Sequence, residues 1–223
     1  MVLEGYLYGC SLSLVGVLAG AFLGPGWAIP EFLLAAFTMY FFRDPNRVIP
    51  DGESVVSPAD GRVVELRETE VEGQRVWKIG IFLSIFDVHV NRSPVAGVIS
   101  DVRYTPGKFL MAFRPEASVE NEQNSVTVQG ARFPVTFKQI AGVVARRIVF
   151  KKKVGDRVER GERVGLIKFG SRVDLYLPLD LVLEVSIGGR VQGGSSILAG
   201  LPESHTDVRP QQADVNCEAG APR

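Results

Sequence analysis

The peptide bond between Gly170 and Ser171 is the first candidate for chemistry in this chain. The pair lies in Phe169-Gly170-Ser171-Arg172, directly after a β-rich run. Attack of the Ser171 hydroxyl on the Gly170 carbonyl would convert the amide to an ester, and β-elimination and hydrolysis would then leave a pyruvoyl group and ammonia. Glycine suits the position before such a bond because it tolerates strained backbone. The pair therefore predicts a bond that breaks itself and a serine that becomes a prosthetic group.

The candidate base for this reaction is a histidine. Serine is a weak nucleophile near neutral pH and needs a base, which a third group usually orients. The chain has two histidines, and His205 falls in the polar, proline-rich stretch 201–223, which has too little apolar content to fold. His89 is therefore the candidate base, and Asp60, between Ala59 and Gly61, is the candidate orienting carboxylate. A structural histidine and a plain Asp-Gly turn remain the alternatives for these two residues.

Five short motifs together resemble one family. In order, they are Ser57-Pro58-Ala59-Asp60-Gly61, Phe86-Asp87-Val88-His89, Gly107-Lys108-Phe109, Glu120-Asn121-Glu122 and Phe169-Gly170-Ser171-Arg172. The set is similar to the short bacterial phosphatidylserine decarboxylases, which depend on a pyruvoyl group. The resemblance runs from about residue 41 to about residue 201. Its motifs are specific as a set and weak singly.

The resemblance implies a proenzyme that cleaves itself after Gly170 into a β chain, 1–170, and an α chain, 171–223. Ser171 would become the pyruvoyl group, with His89 and Asp60 completing an Asp-His-Ser triad. The pyruvoyl ketone would form a Schiff base with phosphatidylserine and act as an electron sink while carbon dioxide leaves, giving phosphatidylethanolamine. His89 is the leading proton donor for that step. The resemblance implies no external cofactor and no metal.

Two positions depart from the long forms of the family. The long forms carry a second histidine three residues before the one that matches His89, and here that position is Phe86. Their cleavage tetrapeptide is Leu-Gly-Ser-Thr, of which only the Gly-Ser core is retained. Any separate role of the second histidine must therefore be absent here or fall to another group.

A second Gly-Ser pair, Gly194-Ser195, competes for the cleavage site. It ends the glycine-rich stretch 188–194, which is typical of a closing hairpin turn. Ser171 is instead followed by an apolar strand at 173–177. An α chain starting at Ser171 keeps strands that hold it to the β chain, whereas one starting at Ser195 would be mostly tail. The comparison favours Ser171.

The first 42 residues predict a membrane-associating helical hairpin. Residues 6–23 and 28–42 are apolar runs separated by Gly24-Pro25-Gly26. The second run spans roughly 22 Å as a helix, less than the ~30 Å hydrocarbon core, so the pattern fits a shallow hairpin as well as two full spans. A pair of buried core helices is the alternative. Arg43 and Arg47 follow the second run, which favours the cytoplasmic face of the cell membrane. In this interpretation the hairpin supplies location only.

The remainder predicts a mainly β fold. Short β-branched and aromatic runs punctuated by Gly, Pro and Asp extend from residue 54. Residues 57–64 and 154–167 both have the pattern of turn-rich β-hairpins. This approximate internal repeat predicts a lipoyl-like, duplicated hybrid-type β-sandwich. We therefore expect a catalytic domain at 43–200 and a disordered tail at 201–223.

Composition excludes several classes of function. The formal net charge is zero, which points to no nucleic-acid partner. Cys10 and Cys217 give neither a disulfide framework nor metal-ligand spacing. The basic cluster at 146–147 and 151–153 is typical of a solvated hairpin face and is not assigned as a site. The phospholipid substrate and the membrane are thus the expected partners, and the sequence leaves a homo-oligomer open.

A membrane-anchored, lipoyl-like adaptor subunit of a transporter is the alternative from another class. Such adaptors insert a long helical hairpin between their lipoyl-like halves, and residues 65–153 show no sustained heptads. A lipoyl or biotinyl carrier would need an exposed lysine at a hairpin tip, and Lys168 lacks the usual flanks. A zinc peptidase would need several histidine ligands.

Overall fold

The structure, a computed structural model, describes residues 2–114, 116–143, 147–168 and 170–202. Phe169, Arg146 and the predicted tail from residue 203 onward, with His205, lie outside the described residues. The helices are α1 (Leu3–Leu23), α2 (Ala28–Phe41) and α3 (Ala117–Glu120), with a 3-10 turn at Pro25–Trp27. The strands are β1 (Val55–Val56), β2 (Gly61–Val71), β3 (Gln74–Leu83), β4 (Val90–Arg92), β5 (Gly97–Thr105), β6 (Gln123–Gln129), β7 (Pro134–Ile140), β8 (Ile148–Phe150), β9 (Arg157–Val158), β10 (Arg163–Ile167), β11 (Ser171–Pro178), β12 (Val182–Leu183), β13 (Arg190–Val191) and β14 (Ile197–Gly200).

Helices α1 and α2 form the predicted apolar hairpin. Their close approach depends on small residues, because a Cβ on Gly9 would overlap Met39 and one on Gly16 would crowd Glu31 and Phe32. At 1.5 Å per residue, α1 is about 30 Å long and α2 about 21 Å. Within the described residues, α1 is the one helix with the length and composition to cross a membrane. Many large apolar side chains of the hairpin are exposed, among them Leu3, Leu7, Leu14, Phe22, Leu23 and Leu33.

The β domain is built on one eight-stranded sheet in the order β13-β2-β3-β11-β7-β6-β5-β9. Two three-stranded sheets, β1-β14-β12 and β4-β10-β8, accompany it. All pairings between these strands are antiparallel. The prediction of a mainly β fold with an N-terminal apolar hairpin is confirmed. The predicted lipoyl-like duplication is not confirmed.

Strand β11 lies inside the large sheet and separates two environments. Val173, Leu175 and Leu177 alternate onto one face and join the main hydrophobic core. Arg172 and Asp174 face the other way and are also buried. Because a buried charge is tolerated only when it is paired, this second face needs partners for both residues.

The partners form a buried ion network on β2 and β3. Arg172 pairs with Glu65 and Asp174, and the Lys78 ammonium lies 3.1 Å from Glu65 and 3.3 Å from Asp174. Burial alone would raise the pKa of Glu65, but the hydrogen bonds from Arg67 and Lys78 and the charge of Arg172 outweigh it and lower the pKa to about 2. The network therefore ties the first residues of β11 to the neighbouring strands.

Three segments of the chain pass between the large sheet and the sheet β4-β10-β8. The first runs from β3 to β4, the second from β7 to β8 and the third from β10 to β11. In the large sheet β11 is flanked by β3 and β7, and in the small sheet β10 is flanked by β4 and β8. The β10–β11 segment, which contains the predicted cleavage site, is thus the middle one of the three.

Candidate active site

Strand register brings the segments that carry His89 and Ser171 side by side. In the large sheet Ser171 pairs with Leu83, and in the small sheet Leu166 pairs with Val90. The Ile167 amide also donates to the His89 carbonyl oxygen at 3.3 Å. The two ends of segment 84–89 therefore lie beside Ser171 and Ile167, although these residues are about eighty positions away in sequence.

The residue before the candidate bond has the conformation that glycine favours. Gly170 has φ +40°, in the left-handed region. Its carbonyl lies against Gly142, in the β7–β8 segment, where an added Cβ would overlap the Gly170 oxygen. The carbonyl that Ser171 would attack therefore lies directly against the backbone of Gly142.

Two motifs of the sequence resemblance, Gly107-Lys108-Phe109 and Glu120-Asn121-Glu122, are hydrogen-bonded to each other, and the second also bonds to Ala141, next to Gly142. Lys108 and Asn121 form an isolated bridge, with the Lys108 amide donating to the Glu120 carbonyl oxygen at 2.7 Å. The buried Asn121 side chain donates to the Ala141 carbonyl oxygen at 2.7 Å, and the Ala141 amide donates to the Glu122 carbonyl oxygen at 2.9 Å. These bonds fix the backbone immediately before Gly142.

Ser171 and His89 each present an unpaired polar atom in a buried position. Ser171 is fully buried and His89 is 2% exposed. Among the described residues neither Ser171 Oγ nor His89 Nε2 has a hydrogen-bond partner. Such atoms are rare in folded proteins and cost about 1–3 kcal/mol each, so they often mark sites of function. One is a hydroxyl that can donate a proton and the other a ring nitrogen that can accept one.

The hydrogen bond of the other ring nitrogen sets the tautomer of His89. His89 Nδ1 lies 2.9 Å from the Asp87 carbonyl oxygen. A carbonyl oxygen only accepts, so Nδ1 carries the proton and Nε2 has the free lone pair. Burial lowers the pKa of His89 to about 4, against the opposing effect of the Asp87 contact. The imidazole is therefore neutral near pH 7 and is in the form that a general base requires.

Asp60 is engaged elsewhere in this conformation. Its carboxylate accepts from Arg47 at 2.6 Å and from the Gly193 amide at 2.8 Å. Burial raises the pKa of Asp60, while the bonds from Gly193 and Arg47 oppose that rise. Within the described part of the chain, its hydrogen bonds go to these partners and not to His89. It lines an open pocket with Asp87, Arg43 and Arg190.

The competing serine lies on the Asp60 side of the molecule. Gly194 also has a left-handed conformation, with φ +81°. The Ser195 amide donates to the Gln192 carbonyl oxygen at 3.1 Å, as expected for a turn. Ser195 is only half-buried, so it lacks the enclosed, unpaired hydroxyl that distinguishes Ser171.

Several residues near the site were not singled out from the sequence. They are Gly142 against the Gly170 carbonyl, the Asp87 carbonyl that holds the imidazole, and Phe41, whose ring centroid lies 4.2 Å from that of His89. Each acts through backbone or through a contact between distant segments, for which the sequence carries no local signal. The position of the second histidine of the long forms, Phe86, is 61% exposed.

The fold and the site define a mainly β protein with a buried serine and a neutral histidine at a crossing between two sheets. The sequence profile of the family Phosphatidylserine decarboxylase matches residues 34–199. Three similar relatives are each named phosphatidylserine decarboxylase proenzyme. The protein of Solibacter usitatus is 51% identical over 89% of this chain and 96% of its own length. Those of Cupriavidus pinatubonensis and Ralstonia nicotianae are each 43% identical, over 90% and 89% of this chain and 94% of their own lengths.

The chain belongs to the phosphatidylserine decarboxylase family. The family named from the five short motifs is therefore confirmed over most of the chain. The transporter-adaptor alternative receives no support from these matches.

The buried, neutral state of His89 predicts a pH dependence of folding. In the unfolded chain the imidazole has a pKa near 6.5, above its folded value of about 4. Between these values the unfolded state binds more protons, so the free energy of unfolding falls as the pH drops from about 6.5 toward 4. Histidine proton resonances of the Ser171→Ala protein, assigned with a His205→Gln variant, should show His89 titrating near pH 4. A His89 titration near pH 6.5 would contradict the buried state.

Proposed function

We propose that this chain is a phosphatidylserine decarboxylase proenzyme that cleaves its own Gly170–Ser171 bond. The observation that carries the proposal is the buried, unpaired Ser171 hydroxyl, which follows a left-handed glycine and lies in the segment alongside His89. Family membership supports the reaction class, a decarboxylase made as a proenzyme. A carboxy-lyase acting on a phospholipid is the function that these observations support best.

The self-cleavage uses groups of the chain and one water molecule. His89 Nε2 accepts the Ser171 hydroxyl proton while Oγ attacks the Gly170 carbonyl carbon. The C–N bond then breaks, the proton goes to the departing nitrogen, and an ester joins the two residues. Loss of the Ser171 Cα proton expels the Gly170 carboxylate and leaves dehydroalanine, whose imine tautomer takes up water and releases ammonia. The products are a β chain, 1–170, and an α chain, 171–223, that begins with a pyruvoyl group.

The surroundings of Ser171 fit a covalent pyruvoyl group. Ser171 is buried and is the first residue of β11. Its hydroxyl makes no hydrogen bond within the described residues, so conversion to a pyruvoyl group would break none. The pyruvoyl carbonyl supplies the electron-withdrawing centre for loss of carbon dioxide. His89 Nε2, after it has accepted a proton from the ammonium group of the substrate, is the proposed donor that returns this proton to the substrate carbon. No other cofactor and no metal enter the proposal.

The strand arrangement supports retention of the α chain after cleavage. Strand β11 pairs with β3 through eight residue pairs and with β7 through five, and both neighbours belong to the β chain. The pairs Arg172–Glu65 and Asp174–Lys78 would likewise join the two chains. The cleaved strand would thus stay in the middle of its sheet, with its new terminus at the site.

The exposed apolar hairpin supports access to a lipid substrate in a membrane. Helix α1 is about as long as the hydrocarbon core is thick, and α2 is shorter. We propose that the hairpin associates with the cytoplasmic face of the cell membrane, the side that the basic residues Arg43 and Arg47 after the second helix favour. The phospholipid would then reach the site without leaving the bilayer.

The assignment of the cleaved serine is tested by comparing the two Gly-Ser pairs. We expect Ser171→Ala to abolish both chain cleavage and decarboxylation, because the attacking hydroxyl is lost. Ser195→Ala is the matched control and should cleave at the wild-type rate. His89→Ala should slow cleavage by roughly 10²–10⁴-fold, the usual contribution of a general base. Gel electrophoresis of newly made protein measures all three, and normal cleavage of Ser171→Ala would move the site elsewhere.

Asp60 is proposed as the third member of the triad, and its charge can be tested apart from its contact with Arg47. We expect Asp60→Asn to slow cleavage, but less than His89→Ala does, because the Asp87 carbonyl already holds His89 Nδ1. Arg47→Met removes the partner and leaves the carboxylate, so it should have the smaller effect of the two. Equal cleavage rates for Asp60→Asn and Arg47→Met would show that Asp60 acts by holding Arg47 and the turn at Gly193.

A further inference from the structure

We propose that the C-terminal end of α2 positions the histidine of the self-cleaving site, so that the membrane hairpin is a working part of that site as well as an anchor. The inference rests on the proposed role of His89 as the base for Ser171. It assigns Phe41 as a positioning residue, with Tyr40 and Arg43 holding the same segment. None of these three residues takes part in the chemistry itself.

The exposure of the hairpin changes abruptly at this end. Phe22 and Leu33, on α1 and α2, are 82% and 67% exposed. Phe41 and Phe42, at the end of α2, are 1% and 3% exposed and form a buried cluster with Leu166 of β10. The end of the hairpin is therefore packed into the β domain, and the boundary after residue 42 cuts through this packing.

Phe41 covers the imidazole of His89. The ring centroids are 4.2 Å apart and the ring planes are inclined at 36°. A ring held at this distance restricts rotation of the imidazole and keeps water from one side of it. The exclusion of water also supports the low pKa of His89, whose leading cause is burial.

Two further contacts from the same end fix the segment that carries His89. The Phe86 carbonyl oxygen accepts from the Tyr40 hydroxyl at 3.2 Å and from the Arg43 guanidinium at 2.6 Å. Arg43 also donates to the Tyr40 carbonyl oxygen at 2.9 Å, so it links the last turn of α2 to the segment. Phe86 directly precedes Asp87, whose carbonyl holds His89 Nδ1. The helix end thus sets the backbone that orients the imidazole.

The hairpin also contacts the segment that leads to the candidate bond. The Lys168 ammonium lies 3.5 Å from the Tyr8 hydroxyl and over the rings of Tyr8 and Phe42, with centroid distances of 5.4 Å and 5.9 Å. Lys168 is two residues before Gly170. Helices α1 and α2 therefore touch both of the segments that must be aligned for cleavage, and displacement of the hairpin would disturb both.

The charges that face His89 determine how a pH test must be designed. Asp87, in the same segment, raises the pKa of His89, and Arg43, beyond α2, lowers it. Lys168 faces Phe42 on the other side. Because Arg43→Met would change both a hydrogen bond and a charge, Phe41→Ala is the cleaner variant. It removes the covering ring and leaves Asp87, Arg43 and Lys168 in place.

The experiment follows self-cleavage of the full-length chain, made in the presence of phospholipid vesicles, as a function of pH. Phe41→Ala is compared with Phe22→Ala and Leu33→Ala, which shorten exposed apolar side chains of the same hairpin. We expect Phe41→Ala to slow cleavage about tenfold or more, since small misplacements of catalytic groups can cost up to ~10²-fold. We also expect the fall of the cleavage rate at low pH, the low-pH limb of the rate profile, to move from near pH 4 toward 6.5. Water that reaches the imidazole would raise the pKa of His89. Both controls should keep the wild-type rate and limb.

The outcomes separate this inference from the proposed function. If His89→Ala blocks cleavage but Phe41→Ala keeps both the wild-type rate and the low-pH limb, the positioning role is wrong and the site assignment stands. If His89→Ala itself cleaves normally, His89 is not the base, and both the site assignment and the positioning role are wrong. If circular dichroism shows that Phe41→Ala does not fold, Phe41→Leu decides: a raised low-pH limb supports the positioning role and an unchanged limb refutes it. A protein beginning at residue 43 should cleave slowly, in contrast to the expectation of a hairpin that supplies only location.

Discussion

The passage of three neighbouring segments between two sheets is the constraint on which the site depends. The middle segment carries the Gly170–Ser171 bond, and the pairings of β10 and β11 fix its two ends in different sheets. Such a segment cannot relax without breaking strand pairs at one end. A left-handed glycine at its end, pressed against Gly142, is the local result. The fold thus supplies the unusual backbone geometry that a self-cleaving bond requires.

The same crossing explains why buried polar atoms remain unpaired. Ser171 Oγ and His89 Nε2 are both buried, where each missing hydrogen bond costs about 1–3 kcal/mol. The extensive hydrophobic core offsets that cost. The imidazole stays neutral because burial outweighs the Asp87 contact. A hydroxyl and a free ring nitrogen therefore coexist in a place that excludes competing water.

Local signals in the sequence account for what could be predicted. The apolar hairpin, the β-branched runs, the glycine before Ser171 and the scarcity of histidines are all properties of short segments, and they led to the fold class and to His89. The surroundings of Asp60 could not be predicted in this way, because its hydrogen bonds to Arg47 and Gly193 depend on how the chain folds. The covering of His89 by Phe41 and the approach of Gly142 to Gly170 depend in the same way on strand register.

The proposed function requires that cleavage falls at the Gly170–Ser171 bond and that Ser171 becomes the pyruvoyl group. Intact mass measurement of the purified, full-length protein tests it most directly. We expect a β chain that ends at Gly170 and an α chain from residue 171 that is lighter, by one ammonia, than the peptide with an N-terminal serine. A single uncleaved chain from an active preparation, or an α chain beginning at Ser195, would contradict it.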